Sequence, residues 1–185
     1  MNRFVDQYLL FRIRSDRDPD AFGRIYDRYV TSIYRFVFLK VPSKEVAEDV
    51  TSETFLRTWQ FIQSSAEITH IRALLYRIAR NLVADHYRRQ EPQTLSSVTN
   101  EGDFTSTPVQ ADISDTGSGR RLIEARADLA LVLENVSQLK EDYQDVLLLR
   151  LVDGLSFGDI ATVLEKSEGN VRVIFHRALK ALDRI

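Results

Sequence analysis

The chain has no cysteine among its 185 residues, which excludes disulfides and thiolate metal sites. Its three histidines, His70, His86 and His176, are scattered and none stands at ligand spacing from another His, Asp or Glu, so no metal is expected. Long apolar runs are missing as well: the longest, such as residues 146–149, fall far short of a bilayer span. The opening residues, MNRFVDQYLLFRIRSDRD, have no sustained apolar core and meet arginine at once, unlike a secretory signal. The expectation is a cytoplasmic protein with no membrane insertion and no cofactor. No stretch gathers a nucleophile with a base, paired carboxylates with a pocket, or metal ligands, so an enzyme ranks behind binding functions.

Hydrophobic content of 44% and charged content of 28% are ordinary for a soluble globular chain. The length suits one domain or two small ones. The net charge of −2 conceals a partition. Residues 1–90 hold 15 Lys/Arg against 11 Asp/Glu, a net +4. Residues 91–120 hold one Arg against five acids, a net −4, and residues 121–185 hold 9 basic against 11 acidic residues, a net −2. Such polarity speaks about partners rather than fold.

The most informative stretch is IRALLYRIARNLVADHYRR, residues 71–89. Its apolar residues at 71, 74, 75, 78, 79, 82 and 83 follow the spacing of a helix with one buried stripe, and Thr69 is placed to cap it. The other face carries Arg72, Tyr76, Arg77, Arg80, Asn81, Tyr87, Arg88 and Arg89, with Asp85 as its only acid. Guanidinium forks suit phosphates and the rings offer stacking surfaces for bases, although a solvated helix face is the competing explanation.

Upstream, residues 16–20 read as a turn before a helix from about Asp20 to Leu39, whose Phe22, Ile25, Tyr26, Tyr29, Ile33, Tyr34, Phe36 and Val37 are assigned to the core. Val41-Pro42-Ser43 breaks the chain, and Ser43 caps a helix from Lys44 to about Gln63. Its buried arc is Val46, Ala47, Val50, Thr51, Phe55, Trp59 and Ile62, while Glu45, Asp49, Glu53, Leu56 and Gln60 share the opposite face. Leu56 inside an acidic strip reads either as a docking surface or as chance exposure. The stretch from 91 to 120 is rich in Ser, Thr, Gly, Pro and acids and reads as a flexible linker between two domains. Beyond it, helices are expected over residues 121–137 and 141–152, ending at Gly154. A short helix capped by Ser156 buries Ile160, Ala161 and Leu164, and a last one capped by Ser167 buries Val171, Phe175, Ala178, Leu179 and Leu182. That order is the helix-turn-helix pattern, which would offer Arg172 and His176 to a major groove; three-helix packing without DNA is the alternative.

The expected fold is therefore all-α, with two small helical domains joined by a flexible acidic linker. This organisation resembles bacterial RNA polymerase sigma factors of the extracytoplasmic-function (ECF) group of the sigma-70 family, over nearly the whole chain. AEDVTSETFLRTW, residues 47–59, looks like the polymerase-docking helix of sigma region 2. LLYRIARNLVADHYRR, residues 74–89, is similar to the promoter-melting and −10-recognition helix. YQDVLLLRLVDGLSFGDIATVL, residues 143–164, followed by SEGNVRVIFHRALKAL, residues 167–182, looks like region 4. The resemblance implies region 2 over residues 1–92, a linker over 93–120 and region 4 over 121–185. Implied partners are core RNA polymerase, through its largest-subunit clamp helices and its flap, promoter DNA, and an anti-sigma factor. Asp49, Ser52, Glu53 and Leu56 would face polymerase. Arg72, Tyr76, Arg77, Arg80, Asn81, Arg88 and Arg89 would take the −10 element and help opening, and the loop 63–69 would capture a flipped base. Ser167, Glu168, Asn170, Arg172, Val173 and His176 would face the −35 element. The acidic linker would mimic nucleic acid in polymerase channels, or act as a plain tether.

Some residues depart from the family pattern. Ser52 stands where Gln is frequent and Leu74 where Trp is frequent. Glu165-Lys166 replaces a common Gly-Ile turn; if position 165 needs a positive φ, Glu there costs roughly 1 kcal/mol. Val173 and Ile174 reduce the basic contacts of the last helix, so weaker or unusual −35 reading is expected. Two rivals remain: an operator-binding regulator, which leaves residues 1–90 unexplained, and a sigma-like decoy or regulator of another sigma factor.

Overall fold

A computed structural model describes residues 3–64, 68–90 and 134–184. The linker expected over 93–120, and most of the helix expected from 121, lie outside the described residues; the last of that helix, 134–137, is helical with Val136 buried. Among the described residues there is no strand, and no helix is long and apolar enough to cross a membrane.

Four helices build the front half: α1 (Arg3–Asp16), α2 (Pro19–Phe38), α3 (Lys44–Gln63) and α4 (Ile71–Gln90). Their starts follow from local chemistry. The Asp18 carboxylate accepts from the main-chain N–H of Asp20 at 2.9 Å and of Ala21 at 3.2 Å, and Pro19 fills the first helical position, where its missing N–H costs nothing. Ser43 accepts from the Val46 N–H at 3.3 Å. The Glu45 carboxyl, engaged by its own main-chain N–H and by Ser43, is held below the usual carboxylate range, in keeping with a helix N-terminus. Helix α4 begins at Ile71, so His70 rather than Thr69 sits in the flanking position; the Thr69 carbonyl instead accepts from Gln7 Nε2 at 2.7 Å, tying α1 to the start of α4.

The front core is built around Ile25, Tyr29, Ile33, Phe36, Ile62, Ile71, Leu75 and Tyr76. Buried Thr54 and Thr58 satisfy their hydroxyls on the carbonyls of Val50 and Thr54, each at 2.7 Å. The Tyr29 hydroxyl donates to Asp6 at 2.6 Å, a second tie from α1. Helix α1 was absent from the expectation: it buries Leu9, Leu10 and Ile13 but leaves Phe4, Tyr8 and Phe11 exposed, so its sequence shows apolar residues on both faces. Tyr26, expected in the core, is 42% exposed and leans on Phe55 with ring centroids 4.7 Å apart.

The back half contains α5 (Glu141–Leu147), α6 (Phe157–Leu164) and α7 (Glu168–Leu182). The helix expected to run to 152 is α-helical only to Leu147 and then widens into a π-helical turn, Leu148–Val152. The Asp153 N–H reaches back to the Leu148 carbonyl at 3.1 Å, and Gly154 then reverses the chain at φ 65°. Gln144 Nε2 donates to the carbonyls of Ser137 at 2.9 Å and Leu139 at 2.7 Å, closing the turn before α5. Ser156 caps α6 as expected, accepting from the Asp159 N–H at 3.1 Å and donating to the Asp159 carboxylate at 2.7 Å, and Ser167 accepts from the Asn170 N–H at 3.3 Å. Between α6 and α7, Glu165 is left-handed at φ 54°, ψ 39°, as the turn requires.

The two halves pack together. Helix α6 lies against α4, and Val146, Leu148, Leu149, Leu155, Ile160 and Leu164 join the front core in one continuous apolar cluster.

Two stability predictions follow from this packing. Glu165→Gly relieves a left-handed side chain and loses only an exposed ion pair, so unfolding should become harder by about 1 kcal/mol, raising Tm by about 2–4 °C. The phenols of Tyr29, Tyr76 and Tyr87 are all pushed above the ordinary tyrosine value, chiefly by burial. The folded chain therefore keeps protons that the unfolded chain has released, and stability falls as pH rises past about 10. Thermal scans at stepped pH should show a level Tm below that value and a decline above it, shallower in Tyr29→Phe.

Candidate nucleic-acid and polymerase interface

Helix α4 carries the proposed strand-binding face, and its neighbours decide which side chains remain on it. Asn81, Arg88 and Arg89 are exposed, with Arg88 paired to Asp85 one turn earlier. Arg72, Arg77 and Arg80 are partly covered. Tyr76 does not belong to this face: it is fully buried, its ring edge-on to Phe36 at 5.4 Å, with Arg72 5.9 Å from its centroid. A single helical stripe could not anticipate this, because α4 is enclosed by α2 and α3 on one side and by α6 on another. Leu74, in place of a frequent Trp, is buried as expected.

The arginines on the first half of α4 are engaged by the back half of the chain. The Arg72 Nη2 donates to the Asp153 carbonyl at 2.5 Å. Arg77 pairs with Glu165 at 3.0 Å. Arg80 donates through Nε to Asp145 at 2.6 Å and lies 3.4 Å from Glu141 and 3.5 Å from Asp142. Burial pulls the Arg80 guanidinium down, but Asp145, Glu141 and Asp142 outweigh it and hold the group above its ordinary value. Two further cations, Lys40 and Arg35, enter from α2 and the turn after it. Lys40 pairs with Asp145, and Arg35 pairs with Asp153. These four residues escaped the sequence reading; the available signal was two acids, Asp145 and Asp153, bracketing an apolar run.

At the start of α4, Phe61, Ile68, His70, Ala73, Leu74 and Arg77 line a cleft that Thr162 of α6 closes over. Part of the loop assigned to base capture, residues 65–67, lies outside the described residues.

On α3 the strip expected to face polymerase is at the surface: Asp49 and Ser52 are exposed, Leu56 is 51% exposed, and Glu53 is steadied by Arg57 at 2.6 Å. That pair also relieves the Asp49/Glu53 repulsion. A groove beside it is lined by Tyr26, Val30, Thr31, Tyr34, Glu48 and Thr51, and exposed Tyr26, which the sequence placed in the core, borders the strip.

On α7, Ser167, Glu168, Asn170, Arg172, Val173 and His176 are all exposed. Arg172 is held by Glu168 at 2.5 Å and lies 4.7 Å over the Phe157 ring. Ile174 is buried at 8% exposure, so it takes no outer position and removes no basic contact from that face. Arg177 and Lys180 are exposed and add charge that the sequence reading overlooked. Among the described residues, no group of three or more His, Cys, Asp or Glu is placed to hold a metal ion.

Residues 25–93 match Sigma-70 region 2, and residues 129–182 match Sigma-70, region 4. The chain is 35% identical over 169 residues to the ECF RNA polymerase sigma factor BldN of Streptomyces coelicolor, covering 91% of this chain and spanning 61% of that relative's length. The fold is similar to that of CnrH, solved in complex with the cytosolic domain of CnrY, with a TM-score of 0.70, 21% identity, and coverage of 97% of this chain and 96% of that one. It is also similar to that of the sigma factor RpoE of Bartonella quintana, solved with the anti-sigma factor NepR, with a TM-score of 0.62, 19% identity, and coverage of 88% and 94%. Two regions of one family, in the family's order, lie on two helical units of matching architecture, and the chain belongs to the ECF group of the sigma-70 family of RNA polymerase sigma factors.

Proposed function

We propose that the chain is a promoter-specificity subunit of bacterial RNA polymerase, acting in the cytoplasm without catalytic chemistry of its own. The strip of Asp49, Ser52, Glu53 and Leu56, extended by Tyr26, docks on core polymerase. Its mixture of acids around one exposed leucine suits a basic partner with an apolar notch. The outer residues of α4 hold the −10 strand: guanidinium groups of Arg72, Arg77, Arg80, Arg88 and Arg89 take phosphates, and Asn81 has the donors and acceptor to read a base edge. The cleft lined by Phe61, Ile68, His70 and Leu74 is the place for an unstacked base, whose capture would offset the cost of unpairing. Helix α7 reads the −35 duplex with Ser167, Asn170, Arg172, Val173 and His176 at its N-terminal half, and Arg177 and Lys180 steady the phosphates. An anti-sigma factor is the restraint that this reading carries.

The observation that carries the proposal is the presence, on one chain and in the family's order, of faces of the three required chemistries: an exposed acidic-apolar strip on α3, a basic face on α4 whose Asn81, Arg88 and Arg89 are exposed, and an exposed mixed basic face on α7. In vitro transcription from fragmented genomic DNA, with core polymerase alone or with this protein, should yield new discrete starts that share upstream sequence. Binding to core without new starts would favour a decoy, and no binding to core would favour an operator-binding regulator.

Two substitutions give residue-level checks. Leu56→Ala should weaken core binding about tenfold, or ~1.4 kcal/mol, with the helical circular dichroism unchanged. Arg172→Ala should weaken binding to a promoter duplex about tenfold or more while leaving core binding intact; unchanged promoter binding would remove Arg172 from the contacts.

A further inference from the structure

An acid stands on the face of α7 that would meet DNA, where phosphates repel it. Glu168 opens the helix and is exposed. Its Oε1 accepts from Arg172 Nη2 at 2.5 Å, one turn on, and the two side chains are 49% and 56% exposed. An exposed pair of this kind adds little to folding, because solvent screens it. Its position is nevertheless set by several neighbours. The Glu168 carboxylate lies over the first turn of α6, where Gly158 carries no side chain to crowd it; a Cβ there would stand 3.4 Å from Oε2. The Arg172 guanidinium lies 4.7 Å over the centre of the Phe157 ring, which meets Phe175 edge-on at 5.4 Å. Arg150 lies at the same 4.7 Å from that ring and is itself anchored, its Nη1 donating to the Leu155 carbonyl at 2.8 Å. Stacking on an aromatic face restrains a guanidinium that would otherwise sample many rotamers.

We propose that Glu168 and Arg172 act as one unit that reads a single guanine–cytosine pair of the −35 element, with Glu168 as the residue that fixes its identity. The inference rests on the assignment of α7 to the −35 duplex. Across the major groove a guanine–cytosine pair presents acceptor, acceptor, donor: N7 and O6 of guanine, then the N4 amine of cytosine. An adenine–thymine pair presents acceptor, donor, acceptor in either orientation. Arg172 carries only donors and Glu168 only acceptors. Side by side they complement the first pattern, in one orientation, and not the second. Arg172 donates to N7 and O6, and a Glu168 oxygen accepts from N4. Against any other pair the carboxylate meets an acceptor and is left desolvated without a partner. The acid thus lowers general attraction to DNA and raises the difference between right and wrong sites.

The test uses holoenzyme assembled from core polymerase and the full-length chain. The probe is a pool of promoter duplexes built on one of the starts found with this protein and randomised across the −35 region. Bound duplexes are sequenced for the wild type, Glu168→Ala, Arg172→Ala and Asp183→Asn. Both members of the pair are about half exposed, so neither alanine empties a core. Asp183→Asn removes the same charge from the exposed far end of α7 and controls for net charge. The wild type should select guanine–cytosine in one orientation at one −35 position. Glu168→Ala should cut that preference about tenfold at that position alone, while retaining more of the unmatched duplexes. Arg172→Ala should cut the same position, and Asp183→Asn should keep the wild-type pattern. An unchanged preference in Glu168→Ala, a loss spread evenly over all positions, or a change at a different position from that altered by Arg172→Ala would overturn the base-reading pair. A wild type with no preference anywhere in the randomised region would instead overturn the assignment of α7 to the −35 duplex.

Discussion

The carboxylate of Asp145 sits between Lys40 and Arg80 with no access to solvent, and the arrangement of the two halves depends on it. A buried charge is tolerated only when every partner is in place, because the loss of hydration is large and the compensating attraction is short-ranged. Lys40 is set up for this by the front half alone. Tyr87 donates to its carbonyl at 2.8 Å, and its ammonium lies 5.3 Å from the centre of the Phe36 ring. The apolar residues around the interface, such as Val146 and Leu149, supply attraction with no direction, whereas the pair at Asp145 selects one register for α5 against α2 and α4.

That single constraint explains several local features. The π-helical turn after Leu147 shifts the chain so that Asp153 points back at Arg35 and Arg72 rather than following the α-helical path. The left-handed Glu165 projects its side chain toward Arg77, which gives a role to a residue whose backbone conformation would suit glycine better. Tyr76, buried beneath Arg72, has its phenol raised by burial and by the nearby Asp153 carboxylate, another sign that the interface is shielded from water.

Much of the fold was legible in the sequence because the signals were local. Ser43, Ser156 and Ser167 each cap the helix they precede, and the break at Pro42 and the reversal at Gly154 fall where the chain turns. The exposed strip on α3 was legible too, since four polar or acidic neighbours at helical spacing surround one leucine. What was not legible depended on tertiary surroundings. A helix with one neighbour shows one buried stripe; α4 has neighbours on several sides, so Tyr76 vanished into the core while the arginines beside it gained partners from distant sequence. Tyr26 erred in the opposite direction, because an aromatic at core spacing near the end of a packing face can rest on Phe55 and still meet solvent. Ile174 shows the same limit on α7, where only the three-helix packing reveals which side of the helix is inward.

The packing of the two halves does not cover the three helix faces equally. Asp49, Ser52 and Leu56 on α3 stay exposed, as do Asn170, Arg172 and His176 on α7, while Arg72 and Arg80 of α4 are engaged internally. A row of unpaired arginines would attract any polyanion, with an affinity governed by charge and salt alone. Pairing Arg72 and Arg80 inside the chain leaves Asn81, Arg88 and Arg89 as the polar residues of α4 that stay at the surface.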